Sequence, residues 1–573
     1  MKLQTLAWTD EFIPALDTEA FQGELERLES RVIALEAVAQ KPPKHVTALA
    51  DAVLLTDRAR DLVQSLKSVC RARQSLKVTD TLANSWRVEV TRLGSRLEKA
   101  AEPIAQAVFA LPEDARSRAP FDAWCSTFLS TEAKPDPLMS AVMLPLSAHH
   151  DHLTSTMKLR VPSEDGHLVS MSYAQATALM KTSDNPRLSR AVFGNYNAWF
   201  AEQAPAFADL LNAVLGWKLY EAEGLKQDFF THSLAEERIS PAAYEALSRA
   251  LIARQDVIRS MITKRAEMIG QPRLHVTQIL YSMPTAQNRT LSGLGNIHET
   301  LASFSEAMKP ADPSFTAFVN RAVNEHWIDA QPQSGRGGGA WCEDMPAFDS
   351  VAIFANYPDT TAGAFQFGHP CGCAFLHQVL HQVQAPLKRL PLSIIEIFGQ
   401  ICESMLERMM LRQIADTPEA MSLRWQIMRR ASNHLMMLPF RHNLLKKLYA
   451  ARRAGVLSVG EINDLTVRAW SEVLGDTVMG LEQYIWCWKP HFYRLNGNFY
   501  DWQYTFGYLV SQSLAERFLK DGKTVAGSDL TQLALDAARL DCDKLLRKHL
   551  DADIRSQLFW ENAIDTAVNL SKQ

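Results

Sequence analysis

Histidine and cysteine side chains are concentrated in one short segment of this 573-residue chain. The first group is His369-Pro-Cys-Gly-Cys373, and the second is His377-Gln-Val-Leu-His381. Imidazole and thiolate are zinc ligands, and two of them spaced i, i+4 on a helix can share one ion. On a helix that begins at Pro370, the last cysteine of the first group and both histidines of the second would share a face. Metal binding and ordinary side-chain packing both explain this pattern, so both interpretations stay open.

The second group is similar to the zincin motif HExxH, but Gln378 stands where the motif has glutamate. An amide cannot take a proton from a metal-bound water, so a peptidase site built on this group would lack its general base. A working zinc endopeptidase that uses His377 and His381 with Glu396 is therefore the least favoured hypothesis.

Three further segments contain groups that could bind a ligand. A histidine and closely spaced tyrosines between His491 and Tyr504 could donate hydrogen bonds to an oxyanion, or could simply pack a groove wall. The glycine run Gly335–Gly339 is not a P-loop, because no Gly-Lys-Ser/Thr follows it. Between Ala420 and Gly460 there is no acid, and a solvated basic helix face is expected, with an acidic partner as the alternative. The cations of that segment are Arg424, Arg429, Arg430, Arg441, Lys446, Lys447, Arg452 and Arg453.

The elements that position these residues are predicted to be mostly helices. Glycine (25) and proline (26) are scarce for a chain of this length, which favours long helices over many short strands. Apolar residues recur at spacings of three and four in two early segments, which begin at Phe21 and Trp86. Long helices are predicted over 185–223 and 241–269, and a short strand over Phe348–Asn356, just before the first His/Cys group.

A run of 28 residues from Thr360 to Leu387 contains no Asp, Glu, Lys or Arg. Its glycines, Pro370, and its glutamines and histidines make it a poor membrane span, so no transmembrane helix is predicted. The amino terminus lacks an apolar segment of secretory length, and eight scattered cysteines favour a reducing cytoplasm over a disulfide framework. A net charge of −4 excludes a generally basic nucleic-acid binder.

Taken in order, these segments resemble the M3 family of zinc metallopeptidases, in its oligoendopeptidase F branch. The resemblance covers nearly the whole chain, and the segments that carry it are Trp8-Thr-Asp, 187–216, Leu234–Ser240, Trp327-Ile-Asp329, Gly339-Ala-Trp-Cys342, His491-Phe-Tyr, Phe499-Tyr and Gln503-Tyr504. It implies a mainly α, zincin-like ellipsoid with a deep central channel and a small β element. It also implies one compact unit, with an N-terminal helical region (1–185) and a peptidase-like region (186–573).

Within this resemblance, the first His/Cys group is the counterpart of the family's His-Glu-x-Gly-His motif. Asn356-Tyr-Pro-Asp-Thr360 matches the family's preceding strand end without a gap, and Glu396 lies 23 residues after Cys373, where the family has its third zinc ligand. The general base is then replaced by Pro370 and the second histidine ligand by Cys373. The resemblance implies a rebuilt metal site of His369, Cys373 and Glu396, with Cys371, His377 and His381 as alternative ligands, or no zinc at all.

The family's substrate-binding residues match this sequence more closely than its metal ligands and general base do. The resemblance implies that His491, Tyr500 and Tyr504 are oxyanion or substrate donors and that Gly339, Ala340 and Trp341 bind the substrate. A two-residue insertion around Asn496–Asn498 leaves open which tyrosine matches which in the family.

The resulting hypothesis is a pseudo-peptidase that binds a peptide or protein. An acidic ligand and an active homologue are the expected partners. The alternative is a repurposed metallo- or thiol-dependent enzyme that uses the Cys/His cluster.

Overall fold

The chain folds almost entirely into helices, as its composition predicts. The computed structural model describes residues 6–8, 18–77, 80–127, 137–162, 167–183, 185–225, 228–280, 291–331, 336, 339–357, 360–414, 417, 419–495, 497–520 and 529–571. Helices up to residue 268 are α1 (Thr18–Gln40), α2 (Val46–Leu76), α3 (Thr81–Phe109), α4 (Glu113–Arg116), α5 (Phe121–Thr127), α6 (Pro137–Ser155), α7 (Tyr173–Thr182), α8 (Pro186–Glu223), α9 (Phe229–Glu236), α10 (Pro241–Ala253) and α11 (Gln255–Met268).

The later helices begin at residue 297. They are α12 (Ile297–Met308), α13 (Ser314–Asn324), α14 (Thr361–Leu380), α15 (Leu392–Ile414), α16 (Ala420–Ser432), α17 (Leu438–Arg452), α18 (Val459–Val473), α19 (Ile485–Trp488), α20 (Trp502–Lys520), α21 (Asp529–Ala537), α22 (Cys542–Leu550) and α23 (Gln557–Leu570). The strands are β1 (Leu159–Pro162), β2 (Leu168–Met171), β3 (Leu274–His275), β4 (Ile328–Asp329), β5 (Ala340–Met345), β6 (Ser350–Ala355) and β7 (Val478–Met479). Short 3₁₀ turns and one π turn, at Asn433–Met437, connect some of these elements.

Two compact units interleave along the sequence. The first comprises 1–131, 290–409 and 514–550, and the second comprises 132–289, 410–513 and 551–573. Each unit is assembled from segments that are distant in the sequence. The division into an N-terminal helical region (1–185) and a peptidase-like region (186–573) stays a prediction.

Helices α1 to α3 of the first unit pack through the predicted apolar stripes. Phe21, Leu28 and Val32 of α1 and Val90 and Leu93 of α3 are fully buried. The stripes are therefore confirmed as core.

A three-stranded sheet in the first unit leads into the first His/Cys group. Its strand order is β4-β6-β5, with β6 parallel to β4 and antiparallel to β5. Every residue of β6 is buried, as expected for a central strand, whereas most of β5 is half-buried at the sheet edge. The predicted strand over Phe348–Asn356 is confirmed by β6.

Helix α14 contains the first His/Cys group and most of the uncharged run. It begins at Thr361, where the Thr360 hydroxyl accepts a hydrogen bond from the Gly363 amide, and it continues through Pro370. The prediction that the helix begins at Pro370 is wrong. A mid-helix proline costs about 3 kcal/mol, and here burial of nearly the whole helix offsets that cost, since Phe365, Phe367 and Leu376 are at most 1% exposed.

Glycines allow α14 to approach α15 very closely. A Cβ atom at Gly372 would lie 2.0 Å from the Phe398 carbonyl oxygen, which belongs to the α15 backbone and cannot move aside. A Cβ atom at Gly368 would lie 2.4 Å from the ring of Phe304 in α12. At Gly372 the obstacle is backbone, so only glycine fits there, whereas a larger residue at Gly368 would displace the Phe304 ring.

In the second unit, α8 confirms the helix predicted over 185–223, and the helix predicted over 241–269 is interrupted at Arg254 into α10 and α11. The solvated basic face expected between 420 and 460 is wrong in part. Arg430 and Arg441 are each only 6% exposed. Arg441 forms two hydrogen bonds with the carboxylate of Asp501, at 2.9 and 2.8 Å.

No described helix has the length and apolar character needed to cross a membrane.

The close helix contact predicts that Gly372→Ala destabilises the protein. The added methyl group would force α14 and α15 apart, and overpacking of this kind costs about 1–3 kcal/mol or more. Thermal unfolding should give a lower Tm for this variant. The matched control is Gly23→Ala in α1, where a Cβ atom meets nothing within 4 Å and alanine should stabilise the helix by about 0.5–1 kcal/mol. An unchanged Tm for Gly372→Ala would contradict the close contact.

Candidate functional site

His369 lies on α14 between two glutamates of α15. Its Nε2 is 3.8 Å from Glu396 Oε1, and its Nδ1 is 3.7 Å from Glu403 Oε1. The His369 side chain is 28% exposed, whereas those of Glu396 and Glu403 are 4% and 12% exposed. Two of the three predicted metal ligands, His369 and Glu396, are thus brought together, with Glu403 placed to orient the imidazole from its other side.

Gly399 makes this arrangement possible. A Cβ atom at this position would lie 2.4–2.7 Å from three atoms of the His369 ring, so the imidazole rests directly on the α15 backbone. The related family motif, Glu-x-x-Ser-x-x-x-Glu, has serine at the position of Gly399. Sequence reasoning did not single out Gly399, although its departure from the motif was a visible signal.

The cysteines of α14 are buried thiols. Cys371 is 1% exposed and Cys373 is 5% exposed. Burial raises the pKa of the Cys371 thiol. A hydrogen bond with Cys342, together with burial, raises the pKa of the Cys373 thiol. The same thiol donates to the Ile395 carbonyl oxygen, with Sγ 3.8 Å from it. Both side chains are therefore neutral at physiological pH and are poor nucleophiles.

These residues do not fit the zinc ion that the M3 resemblance implies. A structural or catalytic zinc site needs at least three protein ligands that converge on one point. His369 and Glu396 converge, but the hydrogen-bonding partners of the Cys373 thiol are Cys342 and the Ile395 carbonyl. Among the described residues, no group of three or more His, Cys, Asp or Glu side chains is arranged to hold a metal ion.

The second histidine pair, the alternative ligand set, is engaged by carboxylates of the first unit. His381 Nε2 is 2.7 Å from Asp344 Oδ1, and its Nδ1 is 3.1 Å from Asp349 Oδ1. His377 Nδ1 lies 3.8 Å from Asp344, and Gln378 donates to Asp349 at 3.3 Å. These contacts connect the end of α14 to β5 and to the turn before β6. They give His377 and His381 a structural role in packing.

The predicted substrate donors of the second unit come together in space. The rings of His491 and Tyr500 are stacked with centroids 4.9 Å apart, and the hydroxyls of Tyr500 and Tyr504 are 2.6 Å apart. Burial lowers the pKa of His491 to about 3, with a further contribution from the charge of Lys489. The imidazole is therefore neutral at physiological pH, and it offers one N–H donor and one acceptor.

The loop that carries Tyr500 is held from three directions within the second unit. Lys218 Nζ donates to the Gly497 carbonyl at 2.5 Å, and Ser233 Oγ donates to the Asn498 carbonyl at 3.1 Å. Burial opposes ionisation of Asp501, but the charge and hydrogen bonds of Arg441 outweigh it and lower the pKa of this carboxyl. The inserted segment is thus a fixed support for Tyr500, although Asn496 lies outside the described residues.

Lys218 is a functional candidate that sequence reasoning missed. It is 4% exposed, and burial lowers its pKa to about 8. A lysine among the apolar residues of α8 was the available signal.

The predicted substrate-binding residues Gly339, Ala340 and Trp341 begin the edge strand β5. Gly339 has a φ of +83°, and the Trp341 ring is stacked on Phe354 at 5.2 Å. The earlier glycines of this run, at 335, 337 and 338, lie outside the described residues.

Comparisons with known proteins support the resemblance drawn from the motifs. No family model matches the chain. Group B oligopeptidase PepB of Streptococcus agalactiae serotype III (strain NEM316) is 23% identical over 372 residues, which span 63% of this chain and 59% of that protein, less than two thirds of its length.

Solved structures show the same fold over nearly the whole chain. PZ peptidase A with an inhibitor is 14% identical, with a TM-score of 0.75, over 96% of this chain and 97% of that one. Oligoendopeptidase-F from Enterococcus faecium is 13% identical, with a TM-score of 0.66, over 97% and 98%. The mainly α fold and the resemblance to the oligoendopeptidase F branch of the M3 family are therefore confirmed.

Burial of the cysteine cluster predicts that Cys371, Cys373 and Cys402 resist alkylation in the native protein. All three are buried, and burial is the main or second cause of their raised thiol pKa values. Iodoacetamide labelling followed by peptide mass spectrometry should modify the half-buried Cys125 about tenfold faster or more. All four should react alike in guanidinium chloride. Fast native labelling of Cys373 would instead favour the thiol-enzyme hypothesis.

Proposed function

We propose that this chain is a pseudo-peptidase, an oligoendopeptidase-like protein that binds peptides and does not hydrolyse them. The single observation that carries the proposal is Pro370, which follows His369 on α14 where the family motif has its glutamate. The side chain of proline has no acid–base group and cannot activate water.

The surrounding residues do not replace the missing group. Hydrolysis of a peptide bond by this class of site needs a polarising ion and a base within hydrogen-bond reach of the attacking water. Glu396 and Glu403 both face the imidazole of His369, and the third donor, Cys373, is a neutral buried thiol. This arrangement supports a site in which the side chains around His369 remain packed together but no group activates water.

Peptide binding is supported by features in each unit. In the first unit, β5 is an edge strand of the described sheet, and an extended peptide can add to such an edge through its backbone. In the second unit, the hydroxyls of Tyr500 and Tyr504 and the neutral His491 are suited to hydrogen bonds with peptide carbonyls. An active homologue as partner stays a prediction.

The proposal predicts that the purified protein binds peptides and leaves them intact. The probe is a fluorescein-labelled nonapeptide mixture, degenerate at every position, with anisotropy for binding and liquid chromatography–mass spectrometry for cleavage. We expect saturable binding, full recovery of intact peptides in the presence of added zinc, and far less than one zinc per chain by elemental analysis. Chelator-sensitive turnover would contradict the loss of hydrolysis, and an unchanged anisotropy would contradict peptide binding. A commercial zinc endopeptidase serves as the positive control.

Completing the set of zinc ligands around His369 and Glu396 provides a second test. In Cys373→His, a second imidazole would join His369 and Glu396, and we expect zinc content to rise toward one per chain. Peptide cleavage should still be absent, because Pro370 is unchanged, and it should appear only in the double variant Pro370→Glu/Cys373→His. The control is Cys125→His in α5, which should not change zinc content. If Cys373→His folds with an unchanged circular dichroism spectrum and still binds no zinc, our explanation of the missing ligand is wrong.

A further inference from the structure

Arg494 lies beside the Tyr500 hydroxyl in the second unit. Its Nη1 donates to Tyr500 Oη at 2.8 Å, and its Cζ is 4.9 Å from the centre of the Tyr500 ring. The arginine is exposed, whereas Tyr500 is half-buried. The guanidinium is thereby fixed in direction by the tyrosine while its other N–H donors are left for a ligand.

Charged groups of both signs lie near Arg494. Lys489 and Arg494 both lie near enough to His491 to contribute to its lowered pKa, and the nearby Asp501 is fully engaged by Arg441. The buried Lys218 has Glu221 and Glu236 as its own acidic neighbours. Within the described residues, no carboxylate forms an ion pair with Arg494.

A planar guanidinium with parallel N–H donors is well suited to bind a carboxylate. Arginine binds carboxylates through two parallel N–H···O hydrogen bonds, which lysine cannot reproduce. The adjacent tyrosine hydroxyls and the neutral His491 can donate further hydrogen bonds to the same oxygens or to the peptide next to them.

We infer that Arg494 is a specificity-determining residue that binds a carboxylate of the bound peptide, with Tyr500 as its positioning partner. This inference rests on the proposed peptide binding and adds the chemical class of peptide that is preferred. The carboxylate has two possible sources, the peptide's C-terminus and an acidic side chain. The sequence pattern between His491 and Tyr504 gives this arginine no role.

The test uses three fluorescein-labelled peptides and the full chain. The first, Ala-Leu-Gly-Ala-Phe-Gly-Ala, has a free C-terminal carboxylate. The second is its C-terminal amide, and the third is that amide with an internal glutamate in place of leucine. Anisotropy titrations compare the wild-type protein with Arg494→Gln, with Arg494→Lys, and with Arg249→Gln, an exposed arginine of α10 whose only described ion-pair partner is Glu245.

We expect the wild-type protein to bind at least one carboxylate-bearing peptide about tenfold more tightly than the uncharged amide. Arg494→Gln should remove this preference and leave the affinity for the amide within about twofold, and Arg494→Lys should restore it only in part. Arg249→Gln should behave as the wild-type protein. A preference for the first peptide identifies the C-terminus as the source, and one for the third identifies an acidic side chain.

Two other outcomes have distinct meanings. Equal binding of all three peptides, or an equal loss of affinity for all three in Arg494→Gln, would overturn the inference and leave peptide binding standing. No binding of any peptide by the wild-type protein, including the degenerate mixture, would overturn the proposed function and this inference with it. Circular dichroism spectra of the variants show whether a loss of binding reflects unfolding.

Discussion

The close contact between α14 and α15 is the constraint on which the candidate site depends. The α14 backbone at Gly372 lies against the α15 backbone at Phe398, and the His369 imidazole rests on Gly399. This spacing brings both Glu396 and Glu403 to the same imidazole. Protein interiors are packed too tightly for such a contact to change gradually, so this geometry is set by the packing of the two helices.

Burial then sets the protonation states on which any chemistry would depend. Burial raises the pKa of the Cys371 thiol, and a hydrogen bond with Cys342 together with burial raises that of Cys373, so neither thiol is a ready nucleophile. In the second unit, burial keeps His491 neutral while Arg441 keeps Asp501 charged. In our proposal, the first unit lacks a group that activates water, and the second supplies hydrogen-bond donors to a peptide.

Sequence patterns predicted the elements that are determined by local periodicity. The apolar stripes of α1 and α3, the long helix α8 and the strand β6 were predicted in this way, and the motif around Cys342 and His491 indicated the fold. Helix α14 was predicted to begin too late, because the cost of Pro370 is local while the compensating burial comes from the rest of the fold. Burial of Arg441 was missed for a similar reason, since its partner Asp501 is 60 positions away. The roles of Gly399 and Lys218 depend on contacts that no spacing rule encodes.

Native mass spectrometry of the full chain tests the central claim most directly. The protein would be incubated with equimolar zinc and the degenerate nonapeptide mixture, and the masses of the complexes and of the released peptides would be measured together. Our account predicts complexes of one chain with one intact nonapeptide and no zinc. Complexes that contain one zinc ion, accompanied by truncated peptides, would contradict it.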